Sequence, residues 1–492
     1  MISDFRLVLA LDIGTSSLRA RVFDVYARSL PGCESKIEYA VTTTPDGGSQ
    51  LDAEQMRVYA ERAIDEILAQ IGERAQNIGA VASATLVSNV LGVDADGRAV
   101  TPVFTYADTR CARQVDDLRA RFAEEKTHQR VGTLFHTSYL PARFLWLARE
   151  RVDEFRRAEF WMSLGEYLLF CWTGQRACSF SVASWTGLLN REKLNWDEEL
   201  ISQLPITKSQ LSPLVDFDSH VGNLRDEYAT RWRALAHAKI FLTLGDGAAV
   251  NIGSGCVDAS RLALTIGTSS AMRVVVPESQ LQVPRGLWSY RVTRDHELVG
   301  GALSEGGALF DWMTHDILKI DPAMIENYLA AMSPDAHGLT VLPFLAGERA
   351  PNWNADARAA IIGLSLHTRP IEILRAGLEA IAYRLGLIFE SLREVAPNAT
   401  QVIASGGALM KSPTWIQIIA DVLGVPVIAS AENEATSRGA ALLALKALGI
   451  IASLDELPAQ TGATYQPDPA RHAIYARALE RQIWLYNAVI RK

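Results

Sequence analysis

The chain has 492 residues, of which 49% are hydrophobic and 21% charged, and carries a net charge of −8. That length exceeds what one hydrophobic core supports and predicts two domains of roughly 200–250 residues each. The acidic balance excludes a general nucleic-acid binder, which needs a basic face, and the five scattered cysteines (Cys33, Cys111, Cys171, Cys178 and Cys256) disfavour zinc, iron–sulfur and disulfide frameworks, as in a protein of the reducing cytoplasm.

The N-terminus carries an acid at Asp4 and runs straight into an apolar strand, so it lacks the cationic region and free apolar stretch of a signal peptide. No run of 18 apolar residues follows, and no membrane span is expected. "RLVLALD" reads as a buried strand, "IGTSS" as turn chemistry and "LRARVFD" as a half-buried strand. Next comes an amphipathic helix, "LDAEQMRVYAERAIDEILAQIG", with Asp52 as N-cap, Gln55 at the capping-box position and Gly72 as its stop. The strand "IGAVASA" follows it, and residues 207–222, rich in Ser and Asp, read as an ordered loop.

At residues 262–270 the chain writes "LALTIGTSS", repeating "LALDIGTSS" of residues 9–17 with one change, Thr265 for Asp12. The second copy is also flanked by strands, "SRLALT" and "AMRVVV". Beyond it "RPIEILRAGLEAIAYRLGLIFESLREV" is a long helix opening with Thr368 and Pro370, and "QVIAS" is a strand. "SPTWIQIIADVLG" is a helix capped by Ser412 and ended by Gly424, "VPVIAS" a strand, and "SRGAALLALKALG" a helix. The closing amphipathic helix, residues 470–492, is expected to pack its apolar stripe on its own domain. Alternation of this kind predicts α/β layers in both halves.

A strand–turn–strand with Gly and Thr/Ser at its bend gathers backbone N–H groups and hydroxyls into a nest for an anion such as phosphate. Two copies predict two like domains that both touch one polyphosphate. A nucleoside triphosphate brings Mg²⁺, a hard cation that takes carboxylate and water ligands, whereas a second acid beside the phosphates would repel them. Asp12 is therefore assigned to the Mg²⁺ shell and Thr265 to a neutral position.

The motifs "DIGTSSLRARVFD" (12–24), "YADTR" (106–110), "LGDGAAVNIGSG" (244–255), "IGTSSAM" (266–272), "GERAPNWNADARAAIIGL" (347–364) and "SGGALMKSPTWIQIIADVLGVPV" (405–427) stand in one order along the chain. In that order the chain resembles the FGGY carbohydrate kinases of the actin/Hsp70/sugar-kinase superfamily over almost its full length. The resemblance implies two actin-like, ribonuclease H-like α/β domains, residues 1–254 and 255–492, with ATP and Mg²⁺ in a cleft between them. It implies transfer of the γ-phosphate to a hydroxyl of a sugar, sugar acid or polyol, and family members are often homodimers.

By resemblance Asp246 is the catalytic base and, with Asp12, a metal-binding acid; Gly245, Gly247, Ala248 and Ala249 leave room for the substrate beside it. Gly14, Thr15, Ser16 and Arg19 of the first loop, Gly267 and Thr268 of the second, and Gly307 of "SEGGALFDW" are nucleotide contacts. Gly406 and Gly407 meet the α-phosphate and adenine, with "NEATSRGAA" (433–441) nearby. Asp108 and Arg110 face the acceptor, where the arginine's fork suits adjacent hydroxyls or a carboxylate, and Tyr106 stands where the family usually has Trp. Ser88 occupies the place of a His in many relatives and of a Glu in glycerol kinases, which makes a different or roomier pocket. "APNWNADAR" and "GLLNREKLNWDEE" most resemble the gluconate-kinase branch, with xylulose or another ketose or polyol as the alternative acceptor. A non-kinase ATPase of the superfamily is the other class, opposed by the GDG aspartate and the "YADTR" loop.

Overall fold

A computed structural model describes residues 7–277 and 281–490, so Asp4 and the last two residues of the chain lie outside the described residues. The chain forms two compact units. The first comprises residues 1–255 and takes back two later segments, Ser289–Leu298 and Glu434–Pro458; the second comprises the remainder.

In the first unit six strands run in the order His220–Val221, Lys239–Gly245, Ile78–Thr85, Leu7–Ile13, Ser17–Asp24 and Ser29–Glu38. Leu7–Ile13, Ile78–Thr85 and Lys239–Gly245 are parallel neighbours, whereas Ser17–Asp24 returns antiparallel through the GTSS bend. Leu9, Leu11, Ala82, Ala84 and Leu244 lose all contact with water, as strands covered on both faces require. The helix Ala53–Ile71 starts where expected: the Asp52 carboxylate accepts from the Gln55 amide, and Gly72 ends it with a positive φ of 60°. The region 207–222 contains the short strands Leu214–Val215 and His220–Val221, the second of which extends the sheet edge.

The sheet of the second unit runs in the order Ser270–Pro277, Arg261–Ile266, Gln401–Ser405, Val427–Ser430 and Thr461–Tyr465. Its central strands repeat the plan of the first: an antiparallel hairpin through GTSS, then parallel neighbours. The helix Pro370–Arg393 opens on Pro370 as expected, but Thr368 does not cap it. Arg369 is its N-cap, its amide held by the Glu372 carboxylate, while the Thr368 hydroxyl accepts from the Ser365 amide and closes the preceding turn. Ser412, Pro413 and Gly424 bound the helix Pro413–Leu423 as expected. The helix Pro469–Val489 buries Tyr475, Ala478, Gln482, Leu485 and Tyr486 within its own unit. The five cysteines are free thiols, and among the described residues no helix is long and apolar enough to cross a membrane.

Candidate functional site

In the first unit Asp12 and Arg19 are cross-strand partners of the opening hairpin, with Nη1 of Arg19 3.5 Å from Oδ2 of Asp12. Gly14 starts the bend: its amide donates to the Ser17 carbonyl at 3.0 Å, and its own carbonyl accepts from the Tyr39 hydroxyl at 2.7 Å. Thr15 and Ser16 form the tip, Ser16 exposed. Burial pushes the Asp12 carboxyl up to about 7; Arg19 opposes this, while the charges of Asp246 and Glu434 add to it.

Asp246 stands at the end of the strand Lys239–Gly245, as the first residue of the helix Asp246–Gly253, and its carboxylate accepts from the Gly247 amide at 2.7 Å. Asp12 and Asp246 thus lie at the C-terminal ends of parallel strands flanking Ile78–Thr85, where open α/β sheets place their ligands. The small residues after Asp246 serve a different purpose from the one expected. Ala248 and Ala249 are fully buried, and the helix crosses the helix Ala435–Ala447 so closely that a Cβ on Gly439 would lie 1.9 Å from the Ala249 carbonyl oxygen. "NEATSRGAA" is therefore packing beneath the Asp246 helix, with Nη1 of Arg438 on the Gly253 carbonyl at 2.8 Å, and Glu434 pairs with Arg21 at 3.1 Å.

The "YADTR" loop is closed on itself. Asp108 is buried, and its carboxylate takes Nε of Arg110 at 3.1 Å and Nη2 at 2.5 Å, plus the Ser49 amide at 3.1 Å. The Arg110 guanidinium also lies 4.5 Å from the Trp146 ring centre, so its fork is already engaged. Tyr106 remains exposed. Ser88 is buried in the left-handed region, φ 53°, and its hydroxyl donates to the Trp185 carbonyl at 2.7 Å.

Sequence reasoning missed Arg143. Wholly buried, it bonds the carbonyls of Ser88, Phe104 and Asp108 at 3.2–3.3 Å and of Thr137 at 2.9 Å, and so ties together the loops that carry the acceptor candidates. The signal was available: in "LPARFLWLARE" the arginine falls on the buried face, between Leu140 and Leu147.

In the second unit three glycine segments converge. The Gly307 amide donates to the Gly267 carbonyl at 2.7 Å and the Ala308 amide to Thr268 at 3.1 Å. A Cβ on Gly307 would lie 2.6 Å from that of Ala408, and one on Gly406, whose φ is 102°, 2.3 Å from the Ile266 carbonyl oxygen. Thr265 faces Ser405 across two parallel strands, their hydroxyls 3.1 Å apart, a neutral pair where the first unit has its acid. Gly407 opens on free space. Glu305, also missed, abuts this cluster: burial pushes its carboxyl up to about 7, and its Oε1 accepts from the Ala346 amide at 3.3 Å.

Both segments read as gluconate-kinase marks have structural partners. In "GERAPNW", Glu348 is buried against Arg384, the Tyr486 hydroxyl (2.6 Å) and Asn352 (2.8 Å). In "GLLNREKLNWDEE", Asp197 takes Arg130 at 2.6 Å and Asn190 at 3.1 Å.

The model of the N-terminal domain of the FGGY family of carbohydrate kinases matches residues 7–253, and that of the C-terminal domain residues 262–448. The chain belongs to the FGGY family of carbohydrate kinases. It is 27% identical to a gluconokinase of Bacillus subtilis (strain 168), over 94% of this chain and 91% of that one. Among solved structures it is similar to a gluconate kinase of Lactobacillus acidophilus, at TM-score 0.92, 26% identity and 98% coverage of both chains. A ligand-bound xylulose kinase of Lactobacillus acidophilus matches equally, at TM-score 0.92, 26% identity and 98% coverage of both chains. The FGGY chain is thus a phosphotransferase acting on an alcohol group, a carbohydrate kinase similar to gluconate kinases.

Proposed function

We propose that this kinase transfers the γ-phosphate of ATP to a hydroxyl of an open-chain sugar acid of the gluconate class. Asp246 accepts the hydroxyl proton as the oxygen bonds to γ-phosphorus and ADP leaves. Gly267, Thr268 and Gly307 take the phosphates, Gly406 and Gly407 the adenosine, and the Gly14–Ser16 bend with Arg19 the transferring end. Asp108 and Arg110, with Ser88, shape the acceptor loops. In this reading residues 1–254 carry acceptor and base and residues 255–492 most of the nucleotide contacts, in a cytoplasmic homodimer.

The observation that carries the reading is that Asp12 and Asp246 stand at the ends of the two strands flanking Ile78–Thr85, where the charge of Asp246 adds to the effect of burial in pushing the Asp12 carboxyl up. Two hard carboxylates with excess negative charge fit a divalent cation, and Asp12 and Asp246 would hold Mg²⁺. Bound there it supplies charge neutralisation for the phosphate oxygens. Asp246→Asn keeps shape and removes the proton acceptor. It is expected to lower kcat by about 10²–10⁴-fold with both KM values nearly unchanged, read by coupled ADP release. Near-wild-type turnover would overturn the assignment.

One observation favours the second reading, a neutral ketose such as xylulose. The Arg110 fork is already satisfied by Asp108, so a substrate carboxylate would have to displace a buried partner. Relative kcat/KM for gluconate and xylulose decides between the two.

A further inference from the structure

Trp185 has no role in the reading above, yet the chain anchors it with unusual thoroughness beside Asp246. It follows the short helix Phe180–Ser184, which is fastened to the strand Lys239–Gly245 twice: the Ser179 hydroxyl donates to the Thr243 carbonyl at 2.6 Å, and the Ser181 hydroxyl accepts from the Gly245 amide at 3.1 Å. The Ser184 hydroxyl accepts from the Arg291 amide at 3.0 Å, and Ser88 holds the Trp185 carbonyl. The indole stacks on Tyr290, ring centres 3.6 Å apart and planes at 18°, and Tyr290 is itself braced by the Tyr139 hydroxyl at 2.6 Å. All of these residues belong to the first unit.

The ring edge closes on Gly245, the residue before Asp246: a Cβ there would lie 2.7 Å from Nε1 of Trp185 and 2.9 Å from Cγ1 of Val87. Trp185 therefore occupies the space between the end of the strand Ile78–Thr85, where Ser88 is short, and the start of the Asp246 helix. The indole is half-buried, not sealed in the core.

We infer that Trp185 is a specificity-determining wall of the acceptor site, an apolar face against the C–H groups of a sugar or polyol chain whose hydroxyl points at Asp246. The inference rests on the reading of Asp246 as the catalytic base. Rigid aromatic surface of this kind binds at low entropic cost, and its backing by Tyr290 fixes the distance between wall and base. Ser88 then acts through Trp185 as a positioning residue: its hydroxyl sets the height of the wall.

The probes are D-gluconate and D-xylulose, with turnover read by coupled ADP release and binding read by tryptophan emission without nucleotide. Trp185→Ala is expected to raise the KM of whichever acceptor the enzyme uses by about tenfold or more while KM for ATP stays within about twofold, and Trp185→Phe to recover most of the loss. The wild-type emission change on adding acceptor is expected to vanish in Trp185→Phe. An acceptor KM unchanged in Trp185→Ala, or an emission change undiminished in Trp185→Phe, overturns the inference. If the alanine variant does not fold, Trp185→Leu carries the same KM comparison. Full turnover in Asp246→Asn removes the catalytic reading and leaves the Trp185 comparison standing, whereas a wild type that neither turns over nor responds to either acceptor overturns both.

Discussion

Replacing Asp12 with Asn isolates a charge that the ligand-free protein holds at a cost. Its carboxyl is pushed from 3.8 to about 7, by burial first and then by Asp246 and Glu434 against the opposing pull of Arg19. Because the folded value lies above the unfolded one, ionised Asp12 weakens the folded state. Nothing is lost below about pH 4, where both states are protonated; the penalty grows as pH rises and is complete above about pH 7. The step corresponds to roughly 4 kcal/mol at its ceiling. Asp12→Asn removes it, so the ligand-free variant is expected to unfold at a higher temperature than wild type at pH 8, by on the order of 5 °C for a unit of this size, with the difference shrinking toward pH 4. Thermal unfolding followed by circular dichroism across pH 5–8 reads this directly. Mg²⁺ is expected to raise the wild-type midpoint at pH 8 and to leave the variant almost unmoved, while kinase turnover is lost. A stability difference that does not change between pH 5 and pH 8 would refute the reasoning.

The remaining predictions follow from contacts within each unit. Arg110→Lys loses the two-point grip on Asp108 and is expected to raise KM several-fold for gluconate and neutral acceptors alike, because the fork shapes the loop; steady-state kinetics showing loss for gluconate alone would instead mean that the guanidinium meets the carboxylate. Gly406→Ala places a Cβ 2.3 Å from the Ile266 carbonyl oxygen at a φ of 102°. It is expected to destabilise by about 1–3 kcal/mol and to raise KM for ATP with little change in acceptor KM, measured by denaturant unfolding and initial rates.

The repeated hairpins were legible because local sequence decides them: an apolar strand, a Gly-Thr-Ser-Ser bend and a second strand need nothing from elsewhere in the chain. The caps at Asp52 and Ser412 were legible for the same reason, since an N-cap is a bond over two or three residues. Thr368 misled because two neighbouring oxygens competed for one role. The Glu372 carboxylate reaches back to the Arg369 amide and leaves Thr368 to the turn before it. Asp12, Asp246 and Gly406 stood out as lone acids or paired glycines at strand ends. The pressure on Asp12 did not, because it comes first from burial by the folded unit and then from Asp246 and Glu434, more than two hundred residues away.

The acceptor side was the least legible, and the physical reason is visible in Arg143 and Trp185. Residue type nominates polar groups, so Asp108 and Arg110 were read as hands reaching for a ligand, and Ser88, placed by resemblance, as the short side chain of a different or roomier pocket. Each spends its hydrogen bonds on the protein instead: Asp108 on Arg110 and the Ser49 amide, Ser88 on the Trp185 carbonyl. A buried guanidinium bound by four carbonyls makes those loops rigid, and a rigid loop can present a partly apolar wall as well as a polar one. Specificity in such a site lies in what the fastened residues hold in place, so the discriminating side chain is sought among their partners rather than among the residues named first.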